Sequence, residues 1–456
     1  MRLCSRKECT GCMACFNTCK NKAISIIEDD EGFDYPYIDQ LVCVKCRKCE
    51  ESCPRQNNHE NNNKEQLYYS AWTKNKTIRQ QSSSGGIFSE LAKEIIKKNG
   101  FVFGAAFDYQ YTVHHIYINS IKNLYRLRGS KYVQSRIEKS YIQTKLFLDS
   151  NKLVLFSGTP CQIAGLKCYL RKEYENLITI DLICHGVPSP KIFNDYKRFI
   201  FNNKTVKIND FKFRNKYFSW QYYCVYISYI AVKKKKYIGT YLADPYIRGF
   251  LRNNYLRPVC YQCKYTNFNR TGDITLADYW NYIPLHKNDK NYKKKGVSVI
   301  IINTIKGKRI LNDIKDKIIT YEKSKEDIIK TNRCLYEPYP RPTTRDEFWK
   351  DYQTLEFKDI IKKWMHPEIL SKEEKLKYFF YDSKVKYFYY FLKLMSINII
   401  KRIFKVIFRP LYIRYRLIID NLEKFNSNYD LINRELENYQ KLLINQSINT
   451  PHPPIN

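Results

Sequence analysis

Cys9-Thr10-Gly11-Cys12-Met13-Ala14-Cys15-Phe16-Asn17-Thr18-Cys19 and Cys43-Val44-Lys45-Cys46-Arg47-Lys48-Cys49-Glu50-Glu51-Ser52-Cys53-Pro54 repeat one spacing, C-x2-C-x2-C-x3-C, and hold eight of the chain's sixteen cysteines. Three closely spaced thiolates can cap one face of an iron-sulfur cubane, while the fourth cysteine of each run turns away and reaches the other cluster. The expected sets are therefore crossed. Cys9, Cys12, Cys15 and Cys53 hold one 4Fe-4S cluster, and Cys43, Cys46, Cys49 and Cys19 hold the second. Zinc is the competing metal, but zinc ribbons use paired C-x2-C knuckles rather than four sulfurs at these intervals. A disulfide framework fits less well: the start MRLCSRKECTG has no apolar signal region, and cytosolic thiols stay reduced. The expectation is a cytoplasmic chain. Cys4 lies outside the pattern and reads as a bystander.

At 456 residues the chain is long enough for two or three domains. A formal charge of +34, from 79 Lys+Arg against 45 Asp+Glu, points to an anionic partner such as an acidic redox protein, a membrane surface or a phosphorylated cofactor. Runs such as Lys233 to Lys236 and Lys293 to Lys295 read as solvated loops. No stretch resembles a nucleic-acid-binding motif, so no nucleic acid partner is expected.

The polar stretch NNHENNNKEQ, residues 57–66, suits a linker after a cluster module spanning residues 1–56. From Leu67 strand-like and helix-like stretches alternate: YYSAW, IFSELAKEIIKK, FVFGAAF, KLVLFSG with a helical pattern after it, LITIDLIC, and GVSVIIINT with a helical stretch from Lys308. This is α/β grammar, extending over residues 67–355. Residues 356–456 change to long helical patterns rich in Tyr, Phe, Lys and Arg. The longest uncharged apolar stretch there, between Lys393 and Lys401, is too short to span a bilayer. The segment from Tyr378 to Leu417 is amphipathic enough to lie on an anionic membrane, with Lys393, Lys401, Arg402, Lys405 and Arg409 at the headgroups. Helices packed on the main domain or on another copy are the plainer reading.

Three places in the middle region carry candidate chemistry. Ser84-Gly85-Gly86 precedes an apolar helical pattern at Ile87, Phe88, Leu91 and Ile95, with Gly100 as its stop. Small residues at a helix N-terminus let backbone amides approach a phosphate, although a serine cap with flexible glycines is an equal reading. Arg128 to Ser135 crowds Arg128, Ser130, Lys131, Gln134 and Ser135 around Gly129, as a phosphate-gripping loop or a polar turn would. The third place is a set of cysteines. Pro160 sits well at a first helical position after a strand, and Cys161 just inside it gains from the helix N-terminus. Cys184 ends the next strand, and Cys260 and Cys263 follow, giving four thiols where an α/β domain gathers ligands. The other reading makes Cys161 and Cys184 buried core residues and Cys260/Cys263 half a zinc knuckle. Cys168, Cys224, Cys334, His185 and His286 read as structural.

Read together, SSSGGIFSELA, GSKYVQS, SGTPCQIAGLKCYL, DLICHGVPSP, CYQCKYTNFNRTGDITLADYW and GVSVIIINT resemble the beta-subunit family of coenzyme F-420 hydrogenases and dehydrogenases, here behind a two-cluster ferredoxin module. The resemblance runs from Cys9 to about Trp349. It implies an iron-sulfur flavoprotein, in which Cys161, Cys184, Cys260 and Cys263 bind a third 4Fe-4S cluster beside FAD. Ser84, Gly85, Gly86, Ser130, Lys131 and Gln134 would then serve the flavin and its phosphates. Two positions depart from the family pattern: Ala277 and Asn281 stand where glycines are usual around Asp278 and Trp280, which puts the cofactor geometry there in question.

The expected fold is an α+β ferredoxin module, an α/β flavin- and cluster-binding domain and a helical C-terminal extension. The expected function is a cytoplasmic oxidoreductase. Electrons come from an acidic donor such as ferredoxin, pass through the clusters to FAD, and reach a small organic acceptor. Some members of the family lie in settings linked to cell-surface polysaccharide synthesis. A non-catalytic electron-transfer subunit is the alternative.

Overall fold

The computed structural model describes residues 3–57, 65–284 and 292–367. These belong to one body, Met1–Leu370; the second unit, Ser371–Asn456, lies outside the described residues. His286, most of the expected linker and the extension beyond residue 367 lie outside them too.

Each cysteine run contains a short helix, α1 (Ala14–Thr18) in the first and α2 (Lys48–Glu51) in the second. Met13 and Arg47, the equivalent residues before them, take left-handed backbone at φ 58° and 60°. A residue with a Cβ adopts that conformation only at a cost of about 1–2 kcal/mol, and here it doubles the chain back around the cysteines. Between the runs, β1 (Ile24–Glu28) pairs antiparallel with β2 (Asp34–Ile38).

The main sheet has eight strands among the described residues, in the order β13-β3-β12-β11-β7-β6-β4-β5. They are β3 (Leu67–Thr73), β4 (Phe101–Phe107), β5 (Val113–Ile118), β6 (Val154–Gly158), β7 (Leu177–Leu182), β11 (Ile274–Asp278), β12 (Ser298–Ile302) and β13 (Ile318–Lys323). The centre is parallel, β11, β7, β6 and β4, and antiparallel strands flank it on both sides. The domain is therefore α/β with a mixed sheet. A separate antiparallel ribbon, β8 (Lys207–Asn215), β9 (Cys224–Ile230) and β10 (Lys234–Thr240), carries Lys233 to Lys236 at its exposed hairpin end.

Helices α3 (Lys76–Gln81), α4 (Ile87–Lys97), α5 (Leu124–Leu127), α6 (Ser140–Asp149), α7 (Pro160–Leu170), α8 (Pro190–Ile200) and α9 (Pro245–Leu251) connect these strands. Ile87, Leu91 and Ile95, spaced by four residues, bury one stripe of α4 in the core under the sheet. Each such side chain contributes roughly 1.5–3 kcal/mol by leaving water. Asn99, at φ 57°, takes the left-handed turn that ends α4, one residue before the expected Gly100. Past β12, the helix spans Ile305–Asn312 and so begins before Lys308, because the Thr304 hydroxyl accepts from Gly307 N at 3.1 Å and caps it there.

Candidate iron-sulfur site

In the N-terminal module the structure brings the first expected set together. Burial pushes the Cys12 and Cys15 thiols up, and both also lie within the electrostatic reach of Cys9 and Cys53. The Ala14 amide reaches the Cys12 sulfur. Cys4 lies beside this set. It packs against Cys9, Phe33 and Tyr35, and its thiol comes within hydrogen-bond reach of Cys9 and Cys53. Spacing misses Cys4 because the chain ahead of the first run folds back onto it. In the second set, burial and then neighbouring charges that include Cys19 act on Cys49, raised to about 11. The Cys43 amide donates to Asp39 O at 3.1 Å, and Cys46 lies at the surface.

Cys161, Cys184, Cys260 and Cys263 come from three separate places and meet. Thr159 and Gln162 form a capping box that starts α7, with Pro160 in its first turn and Cys161 next. Burial and then Cys263 lift Cys161 to about 12; burial and then Cys263 do the same to Cys184; burial, Cys263, Cys184 and Cys161 also push Cys260 up. Cys184 follows β7, whose Asp181 is completely buried and paired with Arg270 at 3.1 Å. Arg270 also donates to Leu182 O, Tyr265 O and Asn267 O. It thereby ties the segment bearing Cys263 to the end of the strand bearing Cys184. Cys168, Cys224 and Cys334 are buried, as core residues are.

The quartet abuts the first set. A Cβ on Gly165, one turn after Cys161 in α7, would stand 2.9 Å from both Cβ and Sγ of Cys12. Around this contact the two parts are bolted by buried arginines. Arg257, with no solvent exposure, donates to Cys9 O (2.7 Å), Gln134 Oε1 (2.9 Å) and Asp34 O (3.1 Å), and lies over the Tyr35 ring at 4.2 Å. Arg345 clasps the Glu31 carboxylate with both nitrogens and donates to Leu256 O. Neither arginine stands out in the sequence; the signal lies in contacts across more than two hundred residues.

Among the described residues, no three His, Cys, Asp or Glu side chains converge closely enough to hold a single metal ion. Sulfurs on a cubane bind different irons and so stand farther apart than the ligands of one ion. Buried polar atoms agree with an occupant at the quartet: Arg55 Nε and the Tyr265 hydroxyl lack partners, and both groups act electrostatically on or under Cys263.

The residues expected at a flavin divide. Gly86, at φ 92°, caps α4 without a side-chain bond; Ser89 N turns back to Gly86 O at 3.2 Å, which leaves the Ile87 and Phe88 amides at the helix start without a side-chain cap. Facing it, Ser130 N donates to Ser83 Oγ at 2.8 Å, and a Cβ at Gly129 would approach only that hydroxyl, at 3.9 Å. Arg128 Nε donates to Ser89 Oγ in the first turn of α4. Ser84 and Gly85 instead serve packing: Ser84 Oγ donates to Val297 O, and a Cβ on Gly85 would strike Ala71 O at 2.4 Å. Lys131 Nζ is taken by Arg126 O and Arg128 O; burial lowers it to about 7. Gln134 donates to Thr10 O and accepts from Arg257, which makes it part of the bolt between the two parts. It also borders a cleft of about 730 Å³ between the cysteine module and β5, beside His114.

Asn281 adopts φ 62°, the conformation for which glycine is usual at this position and which asparagine tolerates. Ala277 lies in regular strand, paired with Val299. Asp278 holds Arg214 through both carboxylate oxygens, and Trp280 stacks on Trp220 with centroids 5.0 Å apart. Arg214 and Trp220, which both donate to Asp278, carry no spacing signal in the sequence. His185 stacks on Tyr339 and bonds Asn253, a structural role.

These features define an iron-sulfur protein that transfers electrons. Residues 8–57 match the family model of a 4Fe-4S dicluster domain, and residues 151–327 match that of the C-terminal part of the coenzyme F420 hydrogenase/dehydrogenase beta subunit. The two matched stretches are thus similar to a dicluster domain and to the C-terminal part of an F420 hydrogenase/dehydrogenase beta subunit. No curated protein matches. Thirteen chains of solved structures do. One, from a xenon-derivatized F420-reducing NiFe hydrogenase complex of Methanosarcina barkeri, is 15% identical, with a TM-score of 0.37 over 56% of this chain and 81% of that chain.

Proposed function

We propose that the chain is an iron-sulfur flavoprotein oxidoreductase. An acidic donor such as a ferredoxin reduces the second cysteine set, and electrons pass through the first set and a third 4Fe-4S cluster on Cys161, Cys184, Cys260 and Cys263. They continue to FAD and a small organic acceptor. One observation carries this reading: α7 supplies Cys161 and, one turn later, seats Cys12 on Gly165, so the two cysteine sets lie against one helix.

The donor side is supported by the loop around Cys46. Leu41 and Val44 are 98% and 65% exposed, and Lys45, Arg47 and Lys48 stand beside them in solvent. A small apolar patch ringed by cations suits a transient redox partner of opposite charge. On the acceptor side, the amides opening α4, with Arg128 and Gly129 opposite, are the groups that would hold the FAD phosphates. FAD, when bound, takes electrons singly and passes them on in pairs. Tyr132, in the same loop, stacks on Phe250, which meets the ring of His185 beside Cys184. The loop and the quartet therefore share one wall.

No helix among the described residues is long and apolar enough to cross a membrane. A cytoplasmic chain whose basic C-terminal extension touches an anionic membrane, working on a lipid-linked sugar in cell-surface polysaccharide synthesis, is the most specific form of the proposal. Rapid mixing with a reduced acidic ferredoxin tests the donor side. Cluster bleaching should slow steeply as salt rises, and K45E or K48E should slow it at low salt; salt-independent reduction contradicts it. Co-sedimentation with anionic vesicles tests the membrane contact, and protein left in the supernatant removes it. Cluster reduction that reaches no organic acceptor in any assay would make the chain an electron-transfer subunit instead.

A further inference from the structure

The Tyr265 hydroxyl is buried and meets no hydrogen-bond partner. Buried phenols ordinarily find one, and others here do: Tyr141 donates to Gln162 O at 2.7 Å and Tyr246 to Tyr132 O at 2.6 Å. Leaving such a group unpaired is destabilising. The residue is not loosely held. Its carbonyl accepts from Arg270 Nη1 at 3.0 Å, and the Lys264 ammonium lies 5.4 Å from the ring centroid.

Its surroundings show what the hydroxyl is kept for. Tyr265 stands two residues after Cys263, and Arg270, which grips its backbone, also grips the strand leading to Cys184. The thiols within electrostatic reach of the phenol are Cys161, Cys12, Cys168 and Cys263. Cys161 and Cys168 belong to α7, and Cys12 rests on Gly165 of the same helix. A phenol carries its proton at neutral pH and so offers a donor. The orphaned group is thus a donor set among sulfur atoms, where the N-terminal cysteines meet the quartet.

We propose that Tyr265 donates a hydrogen bond to a sulfur of the cluster held by Cys161, Cys184, Cys260 and Cys263, and so raises the reduction potential at the junction between the N-terminal module and the α/β domain. This rests on the reading of the quartet as a 4Fe-4S site. Reduction adds negative charge to a cluster, and a donor to sulfur favours the reduced form. Tyr265 is a positioning and tuning residue, with no part in bonds made or broken.

The test uses the full chain, purified anaerobically as wild type, Y265F and C161S. Redox titration followed by electron paramagnetic resonance gives each cluster's potential, and C161S identifies the quartet's cluster. Pulsed resonance after exchange into D2O detects an exchangeable proton coupled to it. The expected Y265F protein keeps all its iron, titrates the quartet's cluster at a lower potential with the others unmoved, and loses the coupled proton. Unchanged potential and proton coupling overturn the proposal. Iron loss in Y265F also overturns it, leaving Tyr265 a packing residue. Wild-type protein with about eight irons would remove the third cluster itself, a separate and recognisable failure.

Discussion

Gly165 seats Cys12, and Arg270 ties the segment after Cys263 to the strand before Cys184. Helix glycine is ordinarily a weakness of about 0.5–1 kcal/mol against alanine, yet at Gly165 a methyl would meet Cys12 Sγ at 2.9 Å and the Tyr141 hydroxyl at 3.0 Å. G165A should keep the α/β fold by circular dichroism and lose iron from the first cysteine set, about four atoms per chain. Full iron in G165A would show that α7 does not seat Cys12. Arg270 and Asp181 are a completely buried ion pair. Removing one partner of such a pair leaves the other charged and unpaired, at a cost of about 3–5 kcal/mol. R270M should therefore melt well below wild type and lose iron at the quartet. The cysteines were legible because a cluster needs sulfur and sulfur is chemically distinctive. Cys4 was not, since only folding brings it to Cys9 and Cys53.

At the scale of elements, parallel strands feeding helices put chemistry at their carboxyl ends. Cys161 and Cys184 follow β6 and β7 accordingly. Pro160 at the start of α7, the apolar stripe of α4 and the buried strands β6, β7 and β12 could be read from residue pattern. The β8-β9-β10 ribbon could not. Its strands are rich in Lys and Tyr, and their inward faces close over a cluster that also draws in Phe107, Tyr132 and Phe348, which are distant in sequence. One cap in this region gives a pH signature. Asp244 caps α9 by accepting from Ile247 N, also accepts from Tyr196 and Tyr237, and is pushed up by burial to about 6. A carboxyl whose folded pKa exceeds its unfolded value contributes stability below the unfolded value and loses it as pH rises through the folded one. D244N keeps a capping oxygen without the charge. Measured by unfolding, the stability difference should move in favour of D244N from pH 4 to pH 6, by ~3 kcal/mol, and then level off. A difference independent of pH would show that Asp244 titrates normally.

For the whole described body, the two cysteine runs and the family stretches foretold the parts but not their union. Spacing cannot reveal that Arg257 reaches from the α/β domain to Cys9 O and Asp34 O, that Arg345 clasps Glu31, or that Gln134 belongs to this joint. Such contacts depend on shape and burial, and they turn two cysteine groups into neighbours on one helix. The flavin end was less legible for a related reason. Ser84, Gly85, Lys131 and Gln134 have packing duties as polar residues commonly do, while the uncapped start of α4 emerges only from backbone geometry. The central claim is that the quartet at Cys161, Cys184, Cys260 and Cys263 extends the dicluster module toward a flavin. Iron, sulfide and flavin quantified on anaerobically purified full chain test it most directly. The account predicts about twelve irons and one FAD per chain, with C161S falling by about four irons; about eight irons, unchanged in C161S, would contradict it.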